Sequence, residues 1–170
     1  MLSEKLTTAL NNQVNAEYYS AYMYLAMSSV ADGLGLKGTA KWLFAQSQEE
    51  VAHGTNMYNY ILERGAKPTF DAIEAPPAKY ENINDIFDAV LKHEQKVTKL
   101  INEIATIAMG EHDHACYQFM MWYVSEQVEE EASVSDILDK LKLIDGNKGL
   151  ILNLDTELGK RVFVNPFPTV

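Results

Sequence analysis

The sequence predicts an all-α fold: a bundle of four long helices with a long crossover between the second and third, plus a short fifth helix near the C-terminus. Three observations carry this. Apolar residues recur at three- and four-residue steps through four separate stretches, the period of a helix with one buried face. Glycines and prolines fall between those stretches and leave a single long connection, residues 66–82, with no convincing strand anywhere. Each of the four apolar stripes is also interrupted near its middle by an acid or an amide.

In the first stretch Ser3 is the expected N-cap and Glu4 suits the positive end of the helix dipole. Leu6, Leu10, Val14, Ala21, Tyr24 and Leu25 form its stripe, Glu17 falls inside it, and Asp32-Gly33-Leu34-Gly35 ends it. A second helix is expected from about Leu36 to Arg64, with Leu43, Ser47, Glu50, Gly54, Met57 and Ile61 on one face and Gly65 as its stop. Pro68, Pro76 and Pro77 then forbid a continuous helix over 66–82. A helix of about 29 residues is roughly 44 Å long. About 17 extended residues reach roughly 56 Å. The connection can therefore run the length of the bundle, leaving helices two and three parallel, while short turns at 32–35 and 110–113 make the other neighbours antiparallel.

The third helix, about Asn82 to Met109, carries Ile83, Phe87, Val90, Val97, Ile101, Ile104 and Ala108, with Glu94 where an apolar residue is expected. Gly110 closes it and Asp113 can cap the fourth, which turns Met120, Tyr123, Gln127, Glu130, Val134, Ile137 and Leu141 inward. Asp145-Gly146 leads to a short apolar helix at about 148–158, bounded by Gly159. This divides the chain into a domain at 1–160 and a tail at 161–170 containing Pro166 and Pro168.

Composition narrows the function classes. A net charge of −10 disfavours nucleic acid and anionic membrane as partners, since both repel an acidic surface, and suits a protein that attracts cations. No apolar run approaches the length of a membrane span, and no apolar segment follows a basic one near Met1, so a cytoplasmic setting is expected. One cysteine, Cys116, excludes an internal disulfide and any cysteine-rich metal knuckle.

The chemistry lies in the interruptions. Glu50 and His53 are three apart and project from one helix face, the spacing two ligands of one metal ion need. Alone this is weak, because Glu111 and His114 share the spacing at a turn where no further acids converge. The arrangement of the rest strengthens it. Glu17 lies 33 residues before Glu50, Glu94 lies 33 before Gln127, and His53 and Glu130 close the two pairs three residues later. Two helical hairpins facing each other would thus bring together Glu17, Glu50, His53, Glu94, Gln127 and Glu130. No Lys or Arg occupies these stripes, so Glu94 is expected to be buried without a protein partner, and a bound cation is the natural neutraliser. The four glutamates match the charge of two divalent ions. Oxygen-dominated ligation with one imidazole favours iron or manganese; zinc could bind but would do no redox chemistry. Glu50, central in the array, is the expected bridge, with His53 and Glu17 on one ion and Glu94 and Glu130 on the other. Tyr24, one heptad after Glu17, reads equally as a redox-active neighbour and as ordinary packing, and Trp122 reads as packing.

With Glu17, Tyr24, Glu49-Glu50-x-x-His53, Glu94 and Trp122-Tyr123-Val124-Ser125-Glu126-Gln127-x-Glu129-Glu130, the sequence resembles the ferritin family, and most of all its prokaryotic non-haem branch, over residues 1–160. The resemblance implies a ferritin-like four-helix bundle and a hollow cage of 24 identical subunits. Such a cage oxidises Fe(II) with O2 or H2O2 at a di-iron centre inside each subunit and stores a ferric oxide mineral. It implies two to three irons per subunit: the first on Glu17, Glu50 and His53, the second on Glu50, Glu94 and Glu130 with Gln127 alongside, and a third on Glu49, Glu126, Glu129 and Glu130. Tyr24 matches the family's tyrosine beside the centre. Haem is not expected, because Gln127-x-x-Glu130 stands where haem-binding relatives carry a second Glu-x-x-His, and Val51 stands where they carry a methionine ligand. Tyr117 and Met120 occupy the positions where animal members line a channel with acids, and Ala52 and Thr55 replace acids that nucleate mineral there. The short apolar helix at 148–158 resembles the one lining the four-fold axis of the full shell. Two other readings stay open: a soluble di-iron redox enzyme acting on an organic substrate without mineral storage, and a structural bundle without metal.

Overall fold

A computed structural model describes residues 1–77 and 79–167, and the described residues form five helices and no strand. These are α1 (Glu4–Gly33), α2 (Lys37–Glu63), α3 (Ile83–Gly110), α4 (His114–Ile144) and α5 (Lys148–Leu158). Pro168, in the expected tail, lies outside the described residues. The expected caps at Ser3 and Asp113 form, and Asn82 adds one at the start of α3. Ser3 Oγ accepts from Leu6 N–H, Asn82 Oδ1 from Asp85 N–H and Asp113 Oδ1 from Cys116 N–H, each satisfying a donor that a helix start leaves open. Gly35, at φ +81°, and Gly65, at φ +71°, adopt the left-handed geometry that ends α1 and α2.

Helix direction follows from which residues share a core. One apolar cluster joins the C-terminal half of α1 (Met27, Ala31), the N-terminal half of α2 (Leu43), the start of α3 (Ile86, Phe87) and the end of α4 (Val134, Leu141). The other joins the start of α1 (Leu6, Leu10), the end of α2 (Met57, Ile61), the end of α3 (Ile101, Ala108) and the start of α4 (Met120). Thus α2 and α3 run parallel, and each is antiparallel to its hairpin partner, α1 or α4. Asn11 and Asn15 pin the crossover along α1: Thr69 N–H donates to Asn11 Oδ1 at 2.8 Å, and the two amides donate to the carbonyls of Lys67 and Asp71.

Two local outcomes depart from or add to the sequence reading. Leu25 is 44 % exposed. Met27 and Ala31 continue the buried line from Tyr24, and Leu25, about 100° further round the helix, points outward. Helix α2 has no side-chain cap of its own; Asp155 of α5 supplies one, accepting from Gly38 N–H at 2.9 Å and Thr39 N–H at 2.7 Å. A Cβ on Gly38 would lie 1.7 Å from the Asp155 carbonyl oxygen, so glycine is required for α5 to seat there.

Candidate metal centre

Between the two apolar clusters lies a polar layer built from one or two residues of each long helix. Glu17 of α1, Glu50 and His53 of α2, Glu94 of α3, and Gln127 and Glu130 of α4 are all buried, none more than 6 % exposed. They share a layer because each sits mid-helix on its inward face, and mid-points coincide when helices of similar length pack side by side. One ligand atom each from Glu17, Glu50 and His53 lie within 4.8 Å of one another, and the same holds for Glu50, Glu94 and Glu130. Glu50 is common to both groups.

The glutamates are held by neutral donors. Gln13 Nε2 donates to Glu17 Oε1 at 2.8 Å. The Tyr24 hydroxyl donates to Glu94 Oε1, and Gln127 Nε2 donates to Glu94 Oε2 at 3.1 Å. Glu94 is therefore buried as expected but not unpartnered. Its partners are a phenol and an amide, which orient the carboxylate without neutralising it. Gln46 Nε2 reaches Glu130 Oε1 at 3.4 Å, while Glu130 Oε2 and His53 Nε2 are buried with no hydrogen-bond partner. His53 Nδ1 lies 3.7 Å from Glu50 Oε2. Buried polar atoms left open cost free energy, and here each belongs to a residue grouped at ligand spacing, His53 with Glu17 and Glu50 and Glu130 with Glu50 and Glu94, so the donor set fits divalent metal.

Electrostatics agrees. Burial, then the neighbouring Glu130, Glu17 and Glu94, pushes the Glu50 carboxyl well above its ordinary range. Burial and Glu94 do the same to Glu130. Burial draws the His53 imidazole down, towards its neutral, ligand-competent form. The Tyr24 phenol is pushed well up by burial and then by Glu94, Glu130 and Glu50, so it stays a proton donor to Glu94. In the metal-free subunit burial favours the protonated forms of Glu50 and Glu130, and a divalent ion would compete with those protons.

The four residues expected around a third position separate. Glu49 and Glu126 are partly buried and can place ligand atoms within 4.8 Å of each other and of His53. Glu129 is exposed, and Glu130 turns to the inner layer with Glu94. Glu49 is also engaged by Arg161, which stacks over Trp42 with its guanidinium carbon 4.8 Å from the ring centroid. Trp122, read from sequence as packing, lies edge-on to His53 at 5.4 Å between ring centroids, and Phe167 closes the same box at 6.1 Å. Tyr123 fixes the turn beneath by donating to the His53 carbonyl at 3.0 Å.

Sequence reasoning missed Gln13, Gln46, Arg161 and Phe167. Gln13 had a signal, being four residues before Glu17 on the same face. Gln46 had the same signal, four residues before Glu50, whereas Arg161 and Phe167 come from the tail and no local pattern marks them.

A ferritin-like domain model matches residues 7–144. The chain is 40% identical over 161 residues to a bacterial non-heme ferritin of Bacteroides fragilis, covering 95% of this chain and 100% of the relative. It is also 40% identical over 160 residues to a probable bacterial non-heme ferritin-like protein of Haemophilus influenzae, covering 94% and 96%. Among solved structures, an open pore ferritin from Archaeoglobus fulgidus superposes with a TM-score of 0.94 at 48% identity, covering 95% of this chain and 100% of that one. With the helix order and the buried carboxylate layer already in place, these similarities establish that the chain belongs to the ferritin family.

Proposed function

We propose that this protein stores iron: it oxidises Fe(II) to Fe(III) with O2 or H2O2 at the centre formed by Glu17, Glu50, His53, Glu94 and Glu130, and holds the product as a ferric oxide mineral inside a homo-oligomeric cage of 24 subunits in the cytoplasm. The observation that carries it is four buried carboxylates and a neutral imidazole converging with no Lys or Arg among them, in a chain of this family. Two ferrous ions bridged by Glu50 each give one electron to a shared dioxygen, which takes up two protons and leaves as hydrogen peroxide. With peroxide as oxidant, the same two electrons and two protons give two waters. The carboxylate shell stabilises the ferric products, and Gln127 and Tyr24 hold Glu94 in place. No helix among the described residues is long and apolar enough to cross a membrane.

The test is anaerobic titration with Fe(II) followed by oxygen, with particle mass measured in parallel. The expected outcome is a short-lived di-iron absorbance, then uptake of many more irons per subunit than there are ligand positions, in a particle of cage size. Uptake that stops at two or three irons per subunit would refute storage. A particle the size of a subunit or dimer would favour a di-iron enzyme acting on an organic substrate.

A further inference from the structure

Residues 159–167 leave α5 and lie against α2. Among the described residues, the bond from Arg161 Nη2 to Glu49 Oε2 is the one hydrogen bond between 161–167 and the four long helices. Beyond it, Phe163, Asn165 and Phe167 face Thr55 and Asn59 of α2 across a groove of about 580 Å³. The segment thus has two attachments: Arg161 on Glu49 and Trp42, and Phe167 on Trp122 and His53. Arg161 stands at the outer group of candidate ligands, Glu49, Glu126 and His53, and its charge also acts on Glu126.

We propose that Arg161 is a displaceable gate on this outer position: its guanidinium holds Glu49 while the position is empty and must swing off Trp42 before a divalent cation binds between Glu49 and Glu126. The exchange is physically balanced. The pair is partly exposed, 28 % and 16 % at the two side chains, so breaking it returns both groups towards water at small cost. A guanidinium brings one charge to Glu49, whereas a divalent ion brings two and engages Glu126 as well. The inner positions hold no such competitor, so they fill first, and the outer one loads once they are occupied. This rests on the proposed metal-binding role of the centre, and it makes Arg161 a specificity-determining residue for the order of loading.

The test uses Zn2+, which binds without being oxidised, titrated calorimetrically into the full-length assembled protein under metal-free buffer. Wild type shows two tight steps and a weaker third. Arg161→Gln strengthens the third step about tenfold and leaves the first two within about twofold, while Arg161→Lys, which keeps the charge but loses the planar stack, falls between. Adding Glu49→Gln to Arg161→Gln cancels the gain. A third step unchanged or weakened in Arg161→Gln, or a gain that survives Glu49→Gln, overturns the gate. Absence of the two tight steps in wild type would instead refute the inner centre, so the two failures are distinct. Should Arg161→Gln disturb folding, wild-type crystals soaked in Zn2+ decide the matter. An ion between Glu49 and Glu126 with Arg161 turned away from Glu49 supports the gate, and an ion there with that bond intact overturns it.

Discussion

The inner layer and the Glu49–Glu126 pair both rely on glutamates, the pair on two of the layer's four helices, with opposite partners. Inside, Glu17, Glu50, Glu94 and Glu130 are buried among amides and a phenol, with no cation in reach. Outside, Glu49 is partly open to water and already paired with Arg161. Carboxylates that neutral donors orient but do not neutralise stay unsatisfied until a metal arrives. A carboxylate that holds a guanidinium has its counter-ion. Affinity for cations is therefore decided less by the acids than by what the fold places beside them.

The largest effect that could break this comparison is at Glu50, the one residue common to both inner groups. Glu50→Gln should abolish both tight Zn2+ steps and with them the thermal protection that Zn2+ confers, about 2.7 kcal/mol for each site at a hundredfold excess over its Kd. Glu49→Gln should leave that protection intact. Equal losses in the two variants, read by calorimetry and melting, would erase the distinction between inner and outer positions.

An intermediate effect is the pH response of the metal-free subunit. Glu50 and Glu130 have carboxyls raised by burial and by each other's neighbours, so the folded state binds more protons than the unfolded chain above the ordinary glutamate range. Stability from these groups is fully present below that range and is lost as pH rises through the raised values. His53, held down by burial, acts in the opposite sense and costs stability as pH falls below the ordinary histidine range. Melting in chelator should therefore decline from mildly acidic to alkaline pH, and Glu50→Gln should flatten the decline. A wild-type profile that rises over that window would show the acids to be ionised and satisfied without metal.

The smallest expected effect is at Tyr24. Tyr24→Phe removes the hydroxyl that donates to Glu94 and leaves Oε1 without that donor in the core. The metal-free subunit should lose about 1–3 kcal/mol, measured by denaturant unfolding, and the Zn2+-loaded subunit less, because the ion takes over the oxygen. Equal losses in both states would mean that the ion does not take over the Glu94 oxygen from the phenol.

Much of this was legible in the residues. Stripes of Ile, Leu and Val at helical steps mark the buried face within each helix, and an acid inside a stripe, as at Glu17 or Glu94, stands out because burial of charge demands a reason. The matched spacing from Glu17 to Glu50 and from Glu94 to Gln127 carried the inference that two hairpins meet, and the structure brings those residues into one layer. Leu25 shows the limit even of that: periodicity places a residue within about one step of a face, and the docked neighbours decide which side of the edge it takes.

What the sequence alone determined was the set of helices, the caps at Ser3 and Asp113, the parallel run of α2 and α3 that the long crossover permits, and the acids of the inner layer. These follow from local periodicity and from covalent reach, which a linear chain records directly. Only the tertiary structure decided that Asp155 caps α2, that Gln46 of α2 reaches Glu130 of α4, that Glu129 faces water while Glu130 does not, and that Arg161 holds Glu49. Those partners come from different helices or from the tail, and their meeting depends on the rotation and depth at which whole elements dock. Packing sets both quantities through the sum of many contacts, and no single stretch of the chain encodes them.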